Sequence, residues 1–292
     1  MTNLRAVSPG SPASSGVPRG WRLSDPRGVF RPALGAVCHV LLEDPDLAAA
    51  IARSDRDRAI DECTAPTLRI GRGWGSERIA MAQAGIGLLV LQGLLIRRVG
   101  VDGRFGAELL GDGDLLRPAQ GEAVRTPLLY RTEWRVLQPT RIAVLDGRVT
   151  ERFARYPGLI DGLVGRAIGR SLALAVNMAI VQHPRVDVRL LMLFWHLTAR
   201  WGRSTHDAIY LPLPLTHAVL GELVAARRPT VSRAVSDLAE RGLVRAVDDG
   251  WLLSGAPPQQ LLELRGSRES IDPTSESRHE LAWEHGSAKL RP

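Results

Sequence analysis

The sequence predicts an α+β protein: an antiparallel β-roll in the N-terminal half, one long helix, and a C-terminal helical domain that ends in a β-hairpin. Three observations lead to this class. Short apolar runs separated by glycines occupy residues 68–145, an apolar pattern with helical period follows from residue 146, and two short helical patterns precede a hairpin pattern in residues 215–253. The chain has 292 residues, which is room for two ordinary domains.

Five segments follow from these patterns. Residues 1–27 are rich in Ser, Pro, Gly and Arg, so we expect a disordered arm there, and residues 256–292 form a mostly disordered tail. The β-roll is expected over residues 28–156, the long helix over 157–183 and the C-terminal domain over 184–255.

The charge balance is basic, and it is carried by arginine. The chain holds 38 Lys+Arg against 31 Asp+Glu, a net charge of +7, and Lys289 is the single lysine. The planar guanidinium suits phosphate groups and guanine edges, which favours nucleic acid as a partner. A genome-wide preference for arginine explains the same composition equally well, so charge alone leaves the partner open.

Several classes of function are not expected. Two cysteines, Cys38 and Cys63, are too few for a four-thiolate cluster or a disulfide scaffold, and they favour a cytoplasmic location. Cys38 and His39 as metal ligands are the weaker alternative to buried or incidental residues. The longest apolar run, residues 84–96, is too short to span a membrane. We find no nucleophile–base pair, phosphate loop or metal motif, so we expect neither an enzyme nor a cofactor.

The N-terminal half begins with a helical pattern over residues 31–59, in which Asp44-Pro45 opens a helix. Two short strands are expected next, at residues 88–91 and 94–96. Asp102-Gly103 is a typical hairpin turn pair. Short strands marked by glycines suggest a small antiparallel barrel or roll.

A long helix follows. Asp146 can cap a short helix with Val149 and Phe153, and Pro157 suits the first turn of the next one. Residues spaced alternately by four and three then form a heptad seam: Ile160, Val164, Ala167, Ser171, Leu174, Met178 and Val181. Pairing with a second copy of the chain is the preferred interpretation, and packing of the helix on its own domain is the alternative. A core helix is expected at about residues 186–201.

Residues 215–244 carry the pattern most informative about function. Thr216 can cap a first helix, a three-residue break follows at 225–227, and Pro229 suits the first turn of a second helix that Gly242 ends. The predicted inner faces are Val219, Leu220, Leu223 and Val224 in the first helix and Val231, Val235 and Leu238 in the second. Two short helices, a tight turn and a continuous inner stripe describe a helix-turn-helix.

The outer face of the second helix carries donors suited to base edges and phosphates: Arg228, Ser232, Arg233 and Ser236. Arg227, just before this helix, is the predicted phosphate contact. A hairpin over residues 243–253, with its turn at 248–250, would make the domain a winged helix. A generic helical hairpin with a solvated polar face is the alternative. The arginines lie at the start of the second helix, where the helix dipole favours phosphate, and this disfavours the alternative.

Residues 215–244 resemble the Crp–Fnr family of bacterial transcription regulators, relatives of the cyclic-AMP receptor protein. The shared run is Thr230-Val231-Ser232-Arg233, followed by Gly242-Leu243-Val244. The resemblance implies a cyclic-nucleotide-binding-like fold for the roll and DNA contacts through Arg228, Thr230, Ser232 and Arg233. Pro229 stands where the family has a base-reading glutamate. Because proline cannot accept a hydrogen bond from cytosine, the family's usual DNA site is not expected.

The roll departs from the family where a cyclic nucleotide would bind. Arg117-Pro118 stands where the family has Gly-Glu, and an arginine cannot accept a hydrogen bond from a ribose hydroxyl. The resemblance implies that Gly121-Glu122 is a displaced Gly-Glu pair and that Arg131-Thr132 corresponds to the family's Arg-Ser/Thr pair, which holds the phosphate. It also places Leu174-Ala175 where the family has polar residues that cover the adenine. The candidate effector pocket is therefore Arg117, Glu122, Arg131 and Thr132, and cyclic AMP is not expected to bind there.

The sequence thus predicts a homodimeric, sequence-specific DNA-binding transcription regulator that reads near-palindromic sites. Its expected partners are double-stranded DNA and a second copy of the chain, with RNA polymerase and an unidentified small-molecule effector as further candidates. The alternative is a cyclic-nucleotide or small-molecule sensor whose winged domain binds protein rather than DNA.

Overall fold

The computed structural model describes residues 35–71, 85–116 and 128–257. The predicted arm, nearly all of the predicted tail, Arg117 and Glu122 lie outside these ranges. The chain divides into two compact units at Leu174.

Within the described residues, the first unit contains an antiparallel sheet of six strands and four short helices. The strand order is β1-β2-β6-β3-β4, with β5 paired to β3. The strands are β1 Val37–His39, β2 Thr64–Ile70, β3 Gly87–Val101, β4 Arg104–Leu110, β5 Leu115–Leu116 and β6 Tyr130–Leu145. The helices are α1 Val40–Glu43, α2 Pro45–Ala49, α3 Arg56–Glu62 and α4 Gly147–Phe153. The predicted antiparallel roll and the α+β class are confirmed.

One long strand replaces the two short strands predicted at residues 88–91 and 94–96. β3 is 15 residues long, and its register with β6 shifts between Val90 and Leu95. Gly93 makes the irregularity possible, since its φ is +117° and a Cβ there would lie 2.5 Å from Thr140 Oγ1. The glycine that suggested a strand end instead marks a bulge within a strand.

The predicted turns are confirmed, whereas the helical interpretation of residues 31–59 is partly wrong. Asp102 and Gly103 join β3 to β4 with φ values of 50° and 73°. The Asp44 carboxylate accepts a hydrogen bond from the Leu47 amide at 3.1 Å and caps α2. Val37–His39, however, is a strand, because these residues pair with β2 at the edge of the sheet.

Two apolar clusters form the core of this unit. One lies within the roll and includes Leu95, Leu110 and Val136. The other packs the short helices against the sheet and includes Cys38 and Cys63, both buried free thiols. Within the described ranges, no group of three His, Cys, Asp or Glu residues could hold a metal ion. His39 Nδ1 lies 2.9 Å from the Ile60 carbonyl oxygen.

The long helix α5, Pro157–Val181, begins where Pro157 predicted. Its exposed apolar face is offset from the predicted seam. Val164 and Met178 are exposed, but Leu174 and Val181 are half-buried, while Ile168 and Leu172 are exposed at 65% and 67%. The offset arises because the true α-helical repeat of 3.6 residues rotates away from an ideal heptad. By length and composition α5 could cross a membrane. Only 6% of its most apolar 18-residue window is buried, so it is not a helix of the protein core.

The second unit contains the C-terminal domain. Its helices are α6 Val186–Trp201, α7 His217–Leu223 and α8 Arg228–Glu240. A four-stranded sheet in the order β7-β8-β10-β9 completes it, with β7 Arg203–Ser204, β8 Ala208–Leu211, β9 Val244–Val247 and β10 Gly250–Ser254. The core helix and the hairpin after α8 are confirmed. β7 and β8 were not predicted.

Candidate nucleic-acid interface

The first helix of the predicted pair begins at a capped residue. The Thr216 hydroxyl accepts a hydrogen bond from the Val219 amide at 3.3 Å. Val219, Leu220 and Leu223 are buried, as the inner stripe predicted. The capped start and the apolar face together fix the direction and the roll angle of α7.

The turn between α7 and α8 is tight because the backbones approach closely. The Ala226 amide donates to the Gly221 carbonyl at 2.9 Å, which closes the end of α7. Ala225 between them has a φ of 51°, a left-handed conformation that favours glycine. A Cβ on Gly221 would lie 2.7 Å from the Ala226 carbonyl oxygen. Gly221 therefore permits this turn, and the sequence analysis did not single it out.

The second helix, α8, separates a buried face from an exposed one. Val231, Val235 and Leu238 are buried as predicted, together with Ala234. Pro229 lies in the first turn, where its missing N–H requires no partner. Four of the predicted contact residues on α8 are exposed: Arg228, Thr230, Arg233 and Ser236.

Ser232 differs from the other predicted contacts. It is half-buried, and its hydroxyl lies 2.8 Å from His217 Nδ1, which links α8 to the start of α7. The Ser236 hydroxyl donates to the Ser232 carbonyl at 3.2 Å. No pattern in the sequence singled out His217 as a partner of Ser232. The two partners are fifteen residues apart in the sequence, and only the helix pairing brings them together.

The hairpin beside α8 is anchored in the core of the domain. β9 and β10 pair around the turn at Asp248 and Asp249. Trp251 is buried, and its ring centroid lies 4.9 Å from that of Phe194 on α6. β10 also pairs with β8, so the wing has a strand on each side of β10. The hairpin is thus held in a fixed place relative to α8.

The arginines at the start of α8 are available for a ligand. Arg227, Arg228 and Arg233 are exposed, and no acidic group in the described part of the chain lies within ion-pair distance of them. The opposite end of α8 is neutralised, since Asp187 pairs with Arg185 at 2.6 Å and with Arg241 at 3.7 Å. Positive charge therefore concentrates at the N-terminus of α8, where backbone N–H groups also favour anions.

Another arginine has a structural role. Arg189 on α6 donates to the Val224 carbonyl at 3.1 Å and also to the His183 carbonyl. It satisfies a carbonyl at the end of α7 that has no helical partner. This arginine supports the turn and is not free to bind a ligand.

Only part of the candidate effector pocket falls within the described residues. Arg117 and Glu122 lie outside the described residues. Arg131 and Thr132 are consecutive residues of β6, so their side chains point to opposite faces of the sheet. Arg131 is 77% exposed and lies 3.9 Å from Glu133, which shares its face. The role of Arg131 and Thr132 in binding a phosphate stays a prediction.

The sequence comparison identifies the C-terminal domain. Residues 188–254 match the family described as the Crp-like helix-turn-helix domain. No curated protein sequence matches the chain. The domain is thus a winged-helix DNA-binding domain.

Solved structures share the fold of the chain. A cyclic nucleotide-binding domain containing protein from Listeria monocytogenes is 11% identical, with a TM-score of 0.55 over 72% of this chain and 96% of that one. A mutant of CooA from Carboxydothermus hydrogenoformans is 15% identical, with a TM-score of 0.51 over 79% and 97%. The resemblance read from the Thr-Val-Ser-Arg run is confirmed for the C-terminal domain, which matches the Crp-like helix-turn-helix family, and the chain as a whole shares the fold of these solved structures.

Proposed function

We propose that the chain acts as a homodimer that reads near-palindromic DNA, with α8 in the major groove of each half-site. The observation that carries this proposal is the exposed, unneutralised arginine cluster at the start of α8, which consists of Arg227, Arg228 and Arg233. It combines guanidinium groups with a helix N-terminus, the arrangement that suits phosphates and guanine edges.

The exposed apolar face of α5 supports the dimer. Val164, Ile168, Leu172 and Met178 are each at least half exposed, an unusual state for large apolar side chains on one helix face. The polar residues Arg166 and Arg170 lie on the other side of the helix and bind Asp44 and Glu108 of the roll. A helix held by ion pairs on one side and apolar on the other suits burial against a second copy. These ion pairs argue against a membrane location for the helix.

Within each half-site we assign different roles to the arginines. Arg228 and Arg233 lie five residues apart, so they project in different directions from α8. We assign base contacts to Arg233 and Arg228, with Thr230 and Ser236 beside them, and a phosphate contact to Arg227. Ser232 acts with His217 to hold α7 and α8 together. The two half-sites are expected about 34 Å apart, one turn of DNA.

The roll is not proposed to bind cyclic AMP. Arg131, the residue that would grip the phosphate, lies on the outer face of β6 with Glu133. An effector of another kind and RNA polymerase remain partners to be tested, and a cytoplasmic location follows from binding DNA.

Selection of binding sites from random duplex DNA tests this function. We expect the full-length chain to enrich a two-fold symmetric sequence, with the same result in the presence of cyclic AMP. Arg228→Ala should weaken this enrichment, because it removes one exposed base-contacting guanidinium of α8 and leaves the buried face intact. Enrichment of no sequence, or of an asymmetric one, would contradict the proposal.

A further inference from the structure

A buried carboxylate lies inside the roll, and it is not one of the proposed DNA contacts. Glu108 on β4 is only 8% exposed. It lies directly across from Arg97 on β3, and Arg97 lies across from Trp134 on β6. Arg97 forms an ion pair with Glu108, and its guanidinium lies 5.7 Å from the centroid of the Trp134 ring. One row of three side chains thus crosses the interior face of the sheet.

A second arginine reaches the same carboxylate from α5. Arg170 Nη2 and Nε donate to the two oxygens of Glu108 at 2.8 and 3.1 Å, the forked geometry that binds carboxylates most strongly. Its Nη1 donates to the Leu115 carbonyl at 2.9 Å. All three guanidinium nitrogens of Arg170 therefore donate hydrogen bonds to residues of the roll.

A second contact from α5 lies one turn earlier. Arg166 Nη2 donates to Asp44 at 2.7 Å, and Nη1 lies 3.4 Å from the Gly113 carbonyl oxygen. Arg166 and Arg170 therefore both contact the segment 113–115. The first half of α5 is held to the roll by two charged anchors.

Two guanidinium groups share one carboxylate inside the roll, since Arg97 and Arg170 each form an ion pair with Glu108. Burial lowers the pKa of the Arg97 guanidinium, and the Glu108 carboxylate opposes that decrease. Removal of Glu108 alone would leave two guanidinium groups facing a cavity, which is costly unless another anion enters.

We propose that Arg97 and Arg170 form an anion-binding site that the chain's own Glu108 occupies, so that α5 is fixed to the roll without an external effector. The ligand class of this site is a small carboxylate or phosphate group. The regulatory consequence is that DNA binding does not depend on an effector, and this consequence rests on the proposed DNA-binding function.

Glu108→Ala in the full-length chain tests the site. The substitution removes a methylene and a carboxylate, which acetate can replace. We expect faster hydrogen exchange of the α5 amides in residues 160–174 and a loss of DNA affinity of about 5–150-fold, the usual range of coupling between sites. Acetate should restore both, whereas chloride at the same ionic strength should not.

Glu133→Ala is the matched control. Glu133 also lies directly across from an arginine, Arg98, with a distance of 3.2 Å, but on the outer face of the sheet. This variant should change neither α5 exchange nor DNA affinity, and acetate should have no effect on it.

Three outcomes separate the possibilities. Unchanged α5 exchange in Glu108→Ala overturns the site, whatever happens to DNA binding. Faster exchange that acetate does not reverse also overturns it, because the arginines then bind no external anion. If acetate restores α5 exchange but the wild type binds no DNA, the site stands and the proposed function fails.

Discussion

Replacement of Gly221 by alanine should destabilise the helix-turn-helix, although alanine is the better helix former. The new Cβ would lie 2.7 Å from the Ala226 carbonyl oxygen and 3.6 Å from Val231 Cγ2. Overpacking of this kind costs about 1–3 kcal/mol. Alanine recovers about 1 kcal/mol of helix propensity, so we expect a net loss of up to about 2 kcal/mol.

The assay is urea unfolding of the full-length chain, with Gly169→Ala as the matched control. Gly169 also lies within a helix, but a Cβ there would meet nothing within 4 Å. This control should gain stability, by about 0.5–1 kcal/mol. The difference between the two variants isolates the steric cost at the turn, about 1–3 kcal/mol. Equal shifts in both variants would refute the close approach that we infer at Gly221.

Three further predictions address the dimer, the DNA contacts and the response to pH. Leu172→Glu with Met178→Glu should give a monomer in sedimentation velocity, because both residues lie on the exposed apolar face of α5; an unchanged dimer would place the interface elsewhere. Arg233→Ala should cost about 1–3 kcal/mol and relax preference at one base pair, whereas Arg227→Ala should weaken all duplexes alike and reduce the salt slope by about one. Equal losses for Arg233→Ala on selected and scrambled duplexes would remove it from base readout. Burial raises the pKa of the Cys63 thiol from 9.0 to about 11. The stabilisation from the buried neutral thiol is therefore complete below pH 9.0 and is lost as the pH rises from there to about 11. Cys63→Ala should show a flatter decline in urea-unfolding free energy over that range, and an unchanged decline would contradict this cause.

Local signals predicted most of the helix-turn-helix. Thr216, Pro229 and the apolar spacing of Val231, Val235 and Leu238 act within a few residues of the helices that they define, so they can be recognised in the sequence. The hairpin after α8 was also predicted, because its turn and strands are contiguous. The two strands before α7 were missed, since β8 joins the sheet by pairing with β10 some forty residues later.

The effector residues stay a prediction, because Arg117 and Glu122 lie outside the described residues. A pair such as Arg131-Thr132 matches a family motif whether or not the backbone there is extended, and in a strand its two side chains lie on opposite faces. The row of Trp134, Arg97 and Glu108 gave no sequence signal, because its members belong to three different strands.

The sequence by itself determined the fold class and the features that depend on neighbouring residues: the caps, the helical periods, the Asp102-Gly103 turn and the run that opens α8. The tertiary structure decided which charged groups are free. Arg170 and Arg228 are both helical arginines and look alike in the sequence. Arg170 is held by Glu108 and the Leu115 carbonyl, whereas Arg228 is exposed at the start of α8. The physical reason is that an arginine becomes structural when folding brings a buried carboxylate to it, and the packing of α5 on the roll brings Arg170 to Glu108.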